Sequence, residues 1–408
     1  MREAHAHIFQ LGRSLTMLDC SGCTSRDELL ELIAARSISL KQHDWVLAHS
    51  VRPEAWDDAR WPSRKELDRA SDGRAVCAWC FDYHALAASS AALAHAGIDA
   101  DTRIDRGIIE LDADAAPTGV LYEHAALALW KSVPEPDANQ RCSLVRSACE
   151  HLRVLGYSEV HDLKAQPWLG PVLSQLQASG EVEQSFQLFP LVPDLDATLA
   201  THSEWASDRL ILAGTKIFTD GTLNSRTAWM LDPYADKPST GTPMMTPDEI
   251  DDAMLLSKHH NLPVAAHAIG DGAVRAVLDS IERTGCTHMH ARVEHLEVVH
   301  PDDVPRFAQL GVIASVQPCH LLPDIDALNA AIPDRLDRVL PLRLLIKSGC
   351  VPGETLLFGS DVPIVRANHE DSIQAAVHRR RKEMPESEAV SIDQSLTEAE
   401  SIACFSSR

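Results

Sequence analysis

Several short apolar runs of this sequence end in a side chain that can bind a metal ion. The four in question are Lys216 in LAGTKIFTDG, His267 in PVAAHAIGD, His295 in ARVEHLEVV, and Asp361 directly after TLLFGS. Near the start of the chain, His5 and His7 form an H-x-H pair in EAHAHIF. Side chains two positions apart on a strand share a face, so both imidazoles can reach one ion. Imidazole and carboxylate groups at strand ends are the donors that a zinc-type catalytic site requires.

Lys216 stands out in this set because an ammonium group repels cations and has no free lone pair. Burial and nearby cations favour the neutral amine of a lysine. A neutral amine can add carbon dioxide to form an anionic carbamate, whose two oxygens can bridge two ions. The sequence therefore admits Lys216 as a ligand in its carbamate form.

Strands and helices alternate along most of the chain. Strands are predicted at 3–9, 157–162, 185–192, 210–218, 263–268, 290–297, 311–318 and in TLLFGSD, with helices at 137–155, 247–260, 271–284, 302–310, 335–348 and 369–384. Repeated strand–helix alternation indicates an α/β fold with a parallel sheet, and eight strands of this kind favour a TIM-like (β/α)8 barrel. In such a barrel the catalytic groups gather at the carboxyl ends of the strands.

A large insertion follows the first predicted strand. Barrel units average roughly 30 residues, whereas the first two strands are about 150 residues apart. We therefore divide the chain into 1–24 (first strand and loop), 25–135 (an inserted lid or subdomain) and 136–408 (the rest of the barrel). Within the insertion we predict helices at 25–36 and 89–96, strands at 44–50 and 75–83, a loop at 112–119 and a helix to about 132.

Composition narrows the range of partners. The formal net charge of −22 argues against nucleic-acid backbones and anionic membranes. With 45% hydrophobic and 24% charged residues, the chain has the composition of an ordinary globular protein. No apolar run reaches the roughly 18–20 residues of a spanning helix, and MREAHAHIFQ lacks a signal-peptide core. We expect a cytoplasmic protein.

Among ten cysteines, Cys20/Cys23 and Cys77/Cys80 have C-x-x-C spacing, which occurs in zinc clamps and redox dithiols. The alternative is that these residues are small core side chains in a reducing compartment. The second pair lies in the strand-like AVCAWCFDY, where positions three apart face opposite sides, so a shared ion is disfavoured.

Seven motifs resemble those of one family, in the same order along the chain. They are EAHAH, APTGVLYEHA, GTKIFTDGTLNSRTA, HAIGDGAV, RVEHLEVVHPDD, GVIASVQPCH and FGSDVP. The chain resembles the amidohydrolase superfamily, in the branch that contains YtcJ-like proteins and N-substituted formamide deformylases. The resemblance implies a distorted barrel with a small β-sandwich built from both chain ends, although most of that sandwich is expected to be missing here.

The resemblance also implies a ligand set and a reaction. The implied ligands of one or two divalent ions, zinc by expectation, are His5, His7, Lys216 as the carbamate, His267, His295 and Asp361. The implied substrate-binding residues are His84, Arg226 and His320, and Arg226 has the alternative of pairing with an acidic loop. The implied reaction is hydrolysis of a C–N bond of an amide or N-formyl type by metal-activated water, with Asp361 as base and then acid.

Two other functions are open at this point. One is a truncated, catalytically silent barrel that binds a small ligand. The other is a zinc or redox module built on the C-x-x-C pairs. For the leading hypothesis the expected partner is a small amide-type molecule, neither nucleic acid nor membrane is expected, and a homo-oligomer is left open.

Overall fold

The computed structural model describes residues 1–41, 43–81, 83–105 and 107–407. The strands in these residues are β1 (Arg2–Ala6), β2 (Leu18–Asp19), β3 (Val46–Val51), β4 (Val76–Cys80), β5 (Ala85–Ala88), β6 (Gly107–Leu111), β7 (Pro117–Glu123), β8 (Glu159–Asp162), β9 (Ser185–Leu188), β10 (Leu210–Leu212), β11 (Thr215–Phe218), β12 (Val264–Ala268), β13 (Arg292–His295), β14 (Ile313–Val316) and β15 (Leu356–Phe358).

The α-helices in the same residues are α1 (Ile8–Ser14), α2 (Arg26–Ser39), α3 (Arg64–Ala70), α4 (Ser90–Ala96), α5 (His124–Trp130), α6 (Ala138–Val154), α7 (Leu169–Ala178), α8 (Leu195–Trp205), α9 (Pro247–His259), α10 (Asp271–Arg283), α11 (Val304–Leu310), α12 (Leu321–Ala331), α13 (Leu342–Lys347), α14 (His369–His378) and α15 (Glu398–Ala403). None of the described helices combines the length and the apolar composition that a bilayer crossing requires.

The chain forms two compact units. The first comprises Met1–Phe9 and Val145–Arg408, and the second comprises Gln10–Leu144. The predicted insertion of 25–135 lies inside the second unit, which extends beyond it on both sides.

The first unit contains two parallel sheets. One has the strand order β1-β8-β9-β10 and the other the order β11-β12-β13-β14-β15. Isolated parallel bridges join the sheets at two places, Ala6 with Val362 and Leu191 with Lys216. Every residue of β12 and β13 is buried, as expected for parallel strands covered by helices. The predicted α/β class with parallel strands is confirmed.

The second unit has one mixed sheet in the order β2-β3-β4-β5-β7-β6. β2, β3 and β4 pair in parallel, while the pairings of β4 with β5, β5 with β7 and β6 with β7 are antiparallel. Its core is apolar and includes Trp79, Leu86, Leu121 and Leu129. The Trp79 ring contacts Tyr83 and Trp130.

Two sequence predictions about local structure need correction, one of them only in part. The first strand, predicted at 3–9, ends at Ala6, and α1 begins at Ile8. The reason is a long-range contact: the Asp162 carboxylate accepts a 2.7 Å hydrogen bond from the Ile8 N–H and so satisfies a free donor at the helix start. The end of the loop predicted at 112–119 and the start of the helix predicted after it are instead β7, because this segment pairs with β5 and β6. The rest of that predicted helix is present as α5.

Candidate metal centre

Five of the six predicted ligands lie at or just beyond the carboxyl ends of parallel strands of the first unit. His5, His267 and His295 are among the last two residues of β1, β12 and β13, His7 follows β1 directly, and Asp361 comes shortly after β15. Lys216 is the second residue of β11. The register of the parallel strands aligns these ends, since Phe218 pairs with His267 and Ala268 pairs with His295.

Asp361 contacts both imidazoles of the H-x-H pair. Its Oδ1 lies 2.8 Å from His7 Nε2 and 3.3 Å from His5 Nε2. Burial by itself raises the pKa of this carboxyl, but His5, the hydrogen bond from His7, and His295 outweigh it and hold the pKa well below its usual range. Asp361 is therefore an ionised acceptor between the two histidines.

His295 completes the cluster. Ligand atoms of His5, His295 and Asp361 all lie within 4.8 Å of one another, and the three residues are buried. The His295 ring centroid is 5.0 Å from that of His5 and 4.4 Å from that of His267. His295 and Asp361 have φ values of 76° and 63°, a left-handed conformation that is uncommon outside glycine and clusters at functional sites.

Burial favours the neutral form of His5, His267 and His295. Burial, followed by the charge of Lys216, lowers the pKa of His267 to about 3. Burial also lowers the pKa of His5 to about 4 against the opposing effect of Asp361, and it lowers that of His295 well below its ordinary value. A neutral imidazole keeps a lone pair, which is the form that binds metal ions.

Lys216 is only 1% exposed, and its Nζ has no hydrogen-bond partner among the described residues. The Nζ lies 4.9 Å from the centroid of the Phe218 ring. Burial lowers the pKa of Lys216 to about 8, although Glu294 and Asp361 act in the opposite direction. An amine with this pKa is neutral in an appreciable fraction of molecules near neutral pH.

Glu294 belongs to the site, and the sequence analysis missed it. Its Oε2 lies 2.8 Å from His5 Nδ1, and its Oε1 accepts a 2.8 Å hydrogen bond from Arg292 Nε. The available signal was the Arg292–Glu294 spacing, because opposite charges two positions apart share one face of an otherwise apolar strand.

Asp220 is a second residue that the sequence analysis did not identify. This buried carboxylate accepts backbone N–H bonds from Trp229, Ile269 and Gly270, and it lies 3.5 Å from His267 Nε2. Burial raises the pKa of Asp220 to about 7, against the effect of these three hydrogen bonds. Asp220 therefore fixes the loops that follow β11 and β12.

His320 lies beside the cluster, with its ring 5.9 Å from that of His295. Its Nε2 lies 3.1 Å from the Ser360 carbonyl oxygen, and its Nδ1 is 3.7 Å from Glu297 Oε1. Burial works against the charged ring, but Glu297 and Asp361 outweigh burial and raise the pKa of His320 to about 9. Near neutral pH this imidazole is a cationic donor.

The other predicted substrate contacts have protein partners. Arg226 Nε donates to both oxygens of Asp236 at 3.0 Å, which corresponds to the acidic-loop alternative for this residue. His84 belongs to the second unit, where its Nδ1 lies 2.9 Å from Glu123 Oε2.

The C-x-x-C pairs do not resemble a metal clamp. All ten cysteines are free thiols, and burial raises the pKa of Cys20 and Cys77 far above the usual value. Cys77 and Cys80 lie three positions apart on β4, so they face opposite sides. Among the described residues, the groups whose donor atoms converge contain histidine and carboxylate only.

The cluster fits a divalent cation. Lys216 Nζ, His7 Nδ1 and His295 Nδ1 are buried without hydrogen-bond partners among the described residues. Each such atom costs about 1–3 kcal/mol unless something satisfies it. Neutral imidazoles next to an ionised carboxylate are the donor set that zinc-like ions accept.

Fold and site thus define an α/β protein with a buried histidine–carboxylate metal centre, the class to which metal-dependent hydrolases belong. A profile of the Amidohydrolase family matches residues 1–408. The chain belongs to this family, and the predicted resemblance to its YtcJ-like branch is confirmed.

Individual relatives agree with this assignment. The sequence is 29% identical over 389 residues to "Putative amidohydrolase YtcJ" of Bacillus subtilis (strain 168), covering 93% of this chain and 72% of that protein. It is 26% identical over 330 residues to "N-substituted formamide deformylase" of Arthrobacter pascens, covering 76% and 60%. A crystal structure of an uncharacterized metal-dependent hydrolase from Pyrococcus horikoshii OT3 superimposes with a TM-score of 0.81 at 26% identity, covering 98% of this chain and 78% of that one.

Proposed function

We propose that this chain is a metal-dependent hydrolase that uses water to cleave a C–N bond of an amide or N-formyl amine, outside the class of peptide bonds. The observation that carries the proposal is the convergence of buried donor atoms of His5, His295 and Asp361 within 4.8 Å of one another. The similarity of this chain to the N-substituted formamide deformylase of Arthrobacter pascens supports a C–N bond of the N-formyl type as the target.

The scaffold in this proposal is a closed (β/α)8 barrel with the segment Gln10–Leu144 inserted after its first strand. β10 and β11 are separated only by Ala213 and Gly214, so they count as one bent strand. The two sheets then supply eight strands, and the two isolated bridges support closure. A barrel of this kind collects functional groups at the carboxyl ends of its strands.

We assign one or two divalent ions, zinc in the first instance, to the six predicted ligands, namely His5, His7, Lys216 as the carbamate, His267, His295 and Asp361. Such ions, when bound, lower the pKa of a coordinated water toward neutrality and polarise a carbonyl group. The unpartnered Nζ of Lys216 and its pKa of about 8 support carbamate formation, because the neutral amine is the form that adds carbon dioxide.

Asp361 handles the proton in this mechanism. Its lowered pKa keeps it ionised, so it accepts a proton from the attacking water. The same oxygen then delivers that proton to the departing nitrogen. His7 Nε2 lies 2.8 Å from the same carboxylate oxygen.

The role proposed for His320 is to stabilise, through its positive charge, the oxygen that becomes negative as water attacks, since its two ring nitrogens face the Ser360 carbonyl and Glu297. Its pKa of about 9 keeps the imidazole charged near neutral pH. A positioned cationic donor stabilises developing negative charge in a site with little water. His84 and Arg226 remain predictions as substrate contacts.

Metal content and turnover test the proposal together. The purified protein is analysed for bound metal and then assayed against a panel of N-formyl and N-acyl amines, before and after chelation and zinc return. We expect one or two ions per chain, amine release that stops on chelation, and recovery with zinc. Carbon-13 spectra in labelled bicarbonate detect the carbamate. Full activity after complete metal removal contradicts the mechanism.

A further inference from the structure

The two ring nitrogens of His5 face different carboxylates. Nδ1 lies 2.8 Å from Glu294 Oε2, and Nε2 lies 3.3 Å from Asp361 Oδ1. A neutral imidazole carries one proton, so only one of these nitrogens donates while the other keeps its lone pair. His5 can bind an ion beside Asp361 only if the proton is on Nδ1.

Glu294 is held so that it accepts this proton and cannot move away. The side chain is fully buried, and Arg292 donates to Oε1 at 2.8 Å and to Oε2 at 3.3 Å. Arg292 is fixed in turn by Nη2 bonds to the Ala4 carbonyl at 2.7 Å and to Ser315 Oγ at 2.9 Å. An ionised carboxylate only accepts hydrogen bonds, so its partner nitrogen must donate.

Gln317 provides the competing interaction. Its Nε2 lies 3.2 Å from His5 Nδ1, and its Oε1 is buried without a partner among the described residues. Amide oxygen and nitrogen exchange places on a 180° rotation, and the oxygen would then accept from the same Nδ1–H. An amide that donates to Nδ1 would instead drive the His5 proton to Nε2. The outcome depends on the stronger neighbour, which is the Glu294 carboxylate.

We propose that Glu294, anchored by Arg292, is a positioning residue that keeps the His5 proton on Nδ1 and leaves Nε2 free to bind the ion. This inference rests on the proposed function. A ligating histidine commonly donates its second N–H to a carboxylate, and loss of that carboxylate typically weakens metal binding by about 10–100-fold.

A second Glu–His pair in the same unit provides a matched control. Glu159 Oε1 lies 2.8 Å from His161 Nε2, the same distance as in the Glu294–His5 pair. His161 Nδ1 lies 2.8 Å from Arg292 Nη1, so both of its ring nitrogens have protein partners. His161 is therefore no candidate ligand, although it is buried and forms the same kind of contact with a glutamate, which in this pair is only partly buried.

The first test compares zinc affinities of wild type, Glu294→Gln and Glu159→Gln by competition with a chromophoric chelator. Glutamine keeps the size of glutamate but can donate to Nδ1, so we expect Glu294→Gln to bind zinc about 10–100-fold more weakly. Glu159→Gln should match wild type. Equal zinc affinity of wild type and Glu294→Gln overturns the inference alone, whereas a wild type that binds no divalent metal overturns the proposed function.

The second test reads the proton position directly and needs no variant at position 294. Long-range proton–nitrogen spectra of histidine-labelled, zinc-free protein separate the two tautomers, and His5 is assigned by its loss in His5→Asn. Wild type should show the proton on Nδ1, and folded Glu294→Gln should shift it toward Nε2. A wild-type proton on Nε2 overturns the inference even if Glu294→Gln does not fold.

Discussion

The two compact units differ in how many ionisable side chains they bury. In the described residues of the second unit, Arg13 is the one buried lysine, arginine, aspartate, glutamate or histidine. The first unit buries many such groups, among them Glu3, Lys216, Asp220 and Glu294. Burying a charge is costly unless it is paired or binds a metal. The costly buried charges are therefore concentrated in the first unit, which also contains the candidate metal centre.

The largest effect should come from the carboxylate at the centre of the buried cluster. Asp361→Asn removes the proton acceptor, so we expect turnover to fall by about 10³-fold while most of the metal stays bound. Kinetics on the best amine substrate and metal analysis measure both quantities. Asp302→Asn, at a side chain 84% exposed, is the matched control and should leave turnover unchanged. Turnover of Asp361→Asn close to that of wild type would refute its role.

A change in the apolar core of the second unit should affect stability and leave the metal centre alone. Trp79 is 2% exposed and packs in that core, so Trp79→Ala should lower the free energy of unfolding by about 3–5 kcal/mol. Denaturant unfolding measures the loss, and chelator competition on the folded variant should return the zinc affinity of wild type. A weaker zinc affinity in the folded variant would show that the apolar core of the second unit also affects the metal centre.

Two glycines sharpen the contrast with the smallest possible substitution. A Cβ at Gly359 would lie 2.5 Å from the backbone nitrogen of His5 and 2.8 Å from Glu3 Oε1, whereas one at Gly22 meets no described atom within 4 Å. Gly359→Ala should therefore cost about 1–3 kcal/mol and weaken zinc binding, because β1 must shift. Gly22→Ala should change stability by less than about 0.5 kcal/mol. Equal effects of the two substitutions on zinc binding would show that Gly359 has no special role.

The sequence revealed the strands that carry the candidate ligands because the signal of these strands is local. The residues of β12 before His267 are apolar, and every residue of β12 and β13 is buried, as in parallel strands covered by helices. The predicted strand ends therefore located His267 and His295, and the resemblance to the family supplied the full set of candidate ligands.

Interactions between distant segments could not be predicted in this way. The start of α1 depends on Asp162, far along the chain, and β7 depends on pairing with β5 and β6. β5, with the sequence ALAA, has residues that favour helix, and its strand conformation comes from its neighbours. The carboxylates Glu294, Asp220 and Glu297 were not predicted as site residues for a related reason. Each belongs to the site because of a contact with a histidine that is distant in sequence.

Glu3 connects β1 to the segment that follows β15. Its Oε1 accepts hydrogen bonds from the backbone N–H groups of His5 and Ser360, and its Oε2 accepts one from the Ser360 hydroxyl. The partners Glu3 and Ser360 are 357 positions apart in the chain. At a synthesis rate of about 5–20 residues per second, a ribosome needs roughly 20–70 s to pass from one to the other. During that interval the nascent chain carries His5 and His7 without Asp361, so the proposed metal site can be completed only late in synthesis.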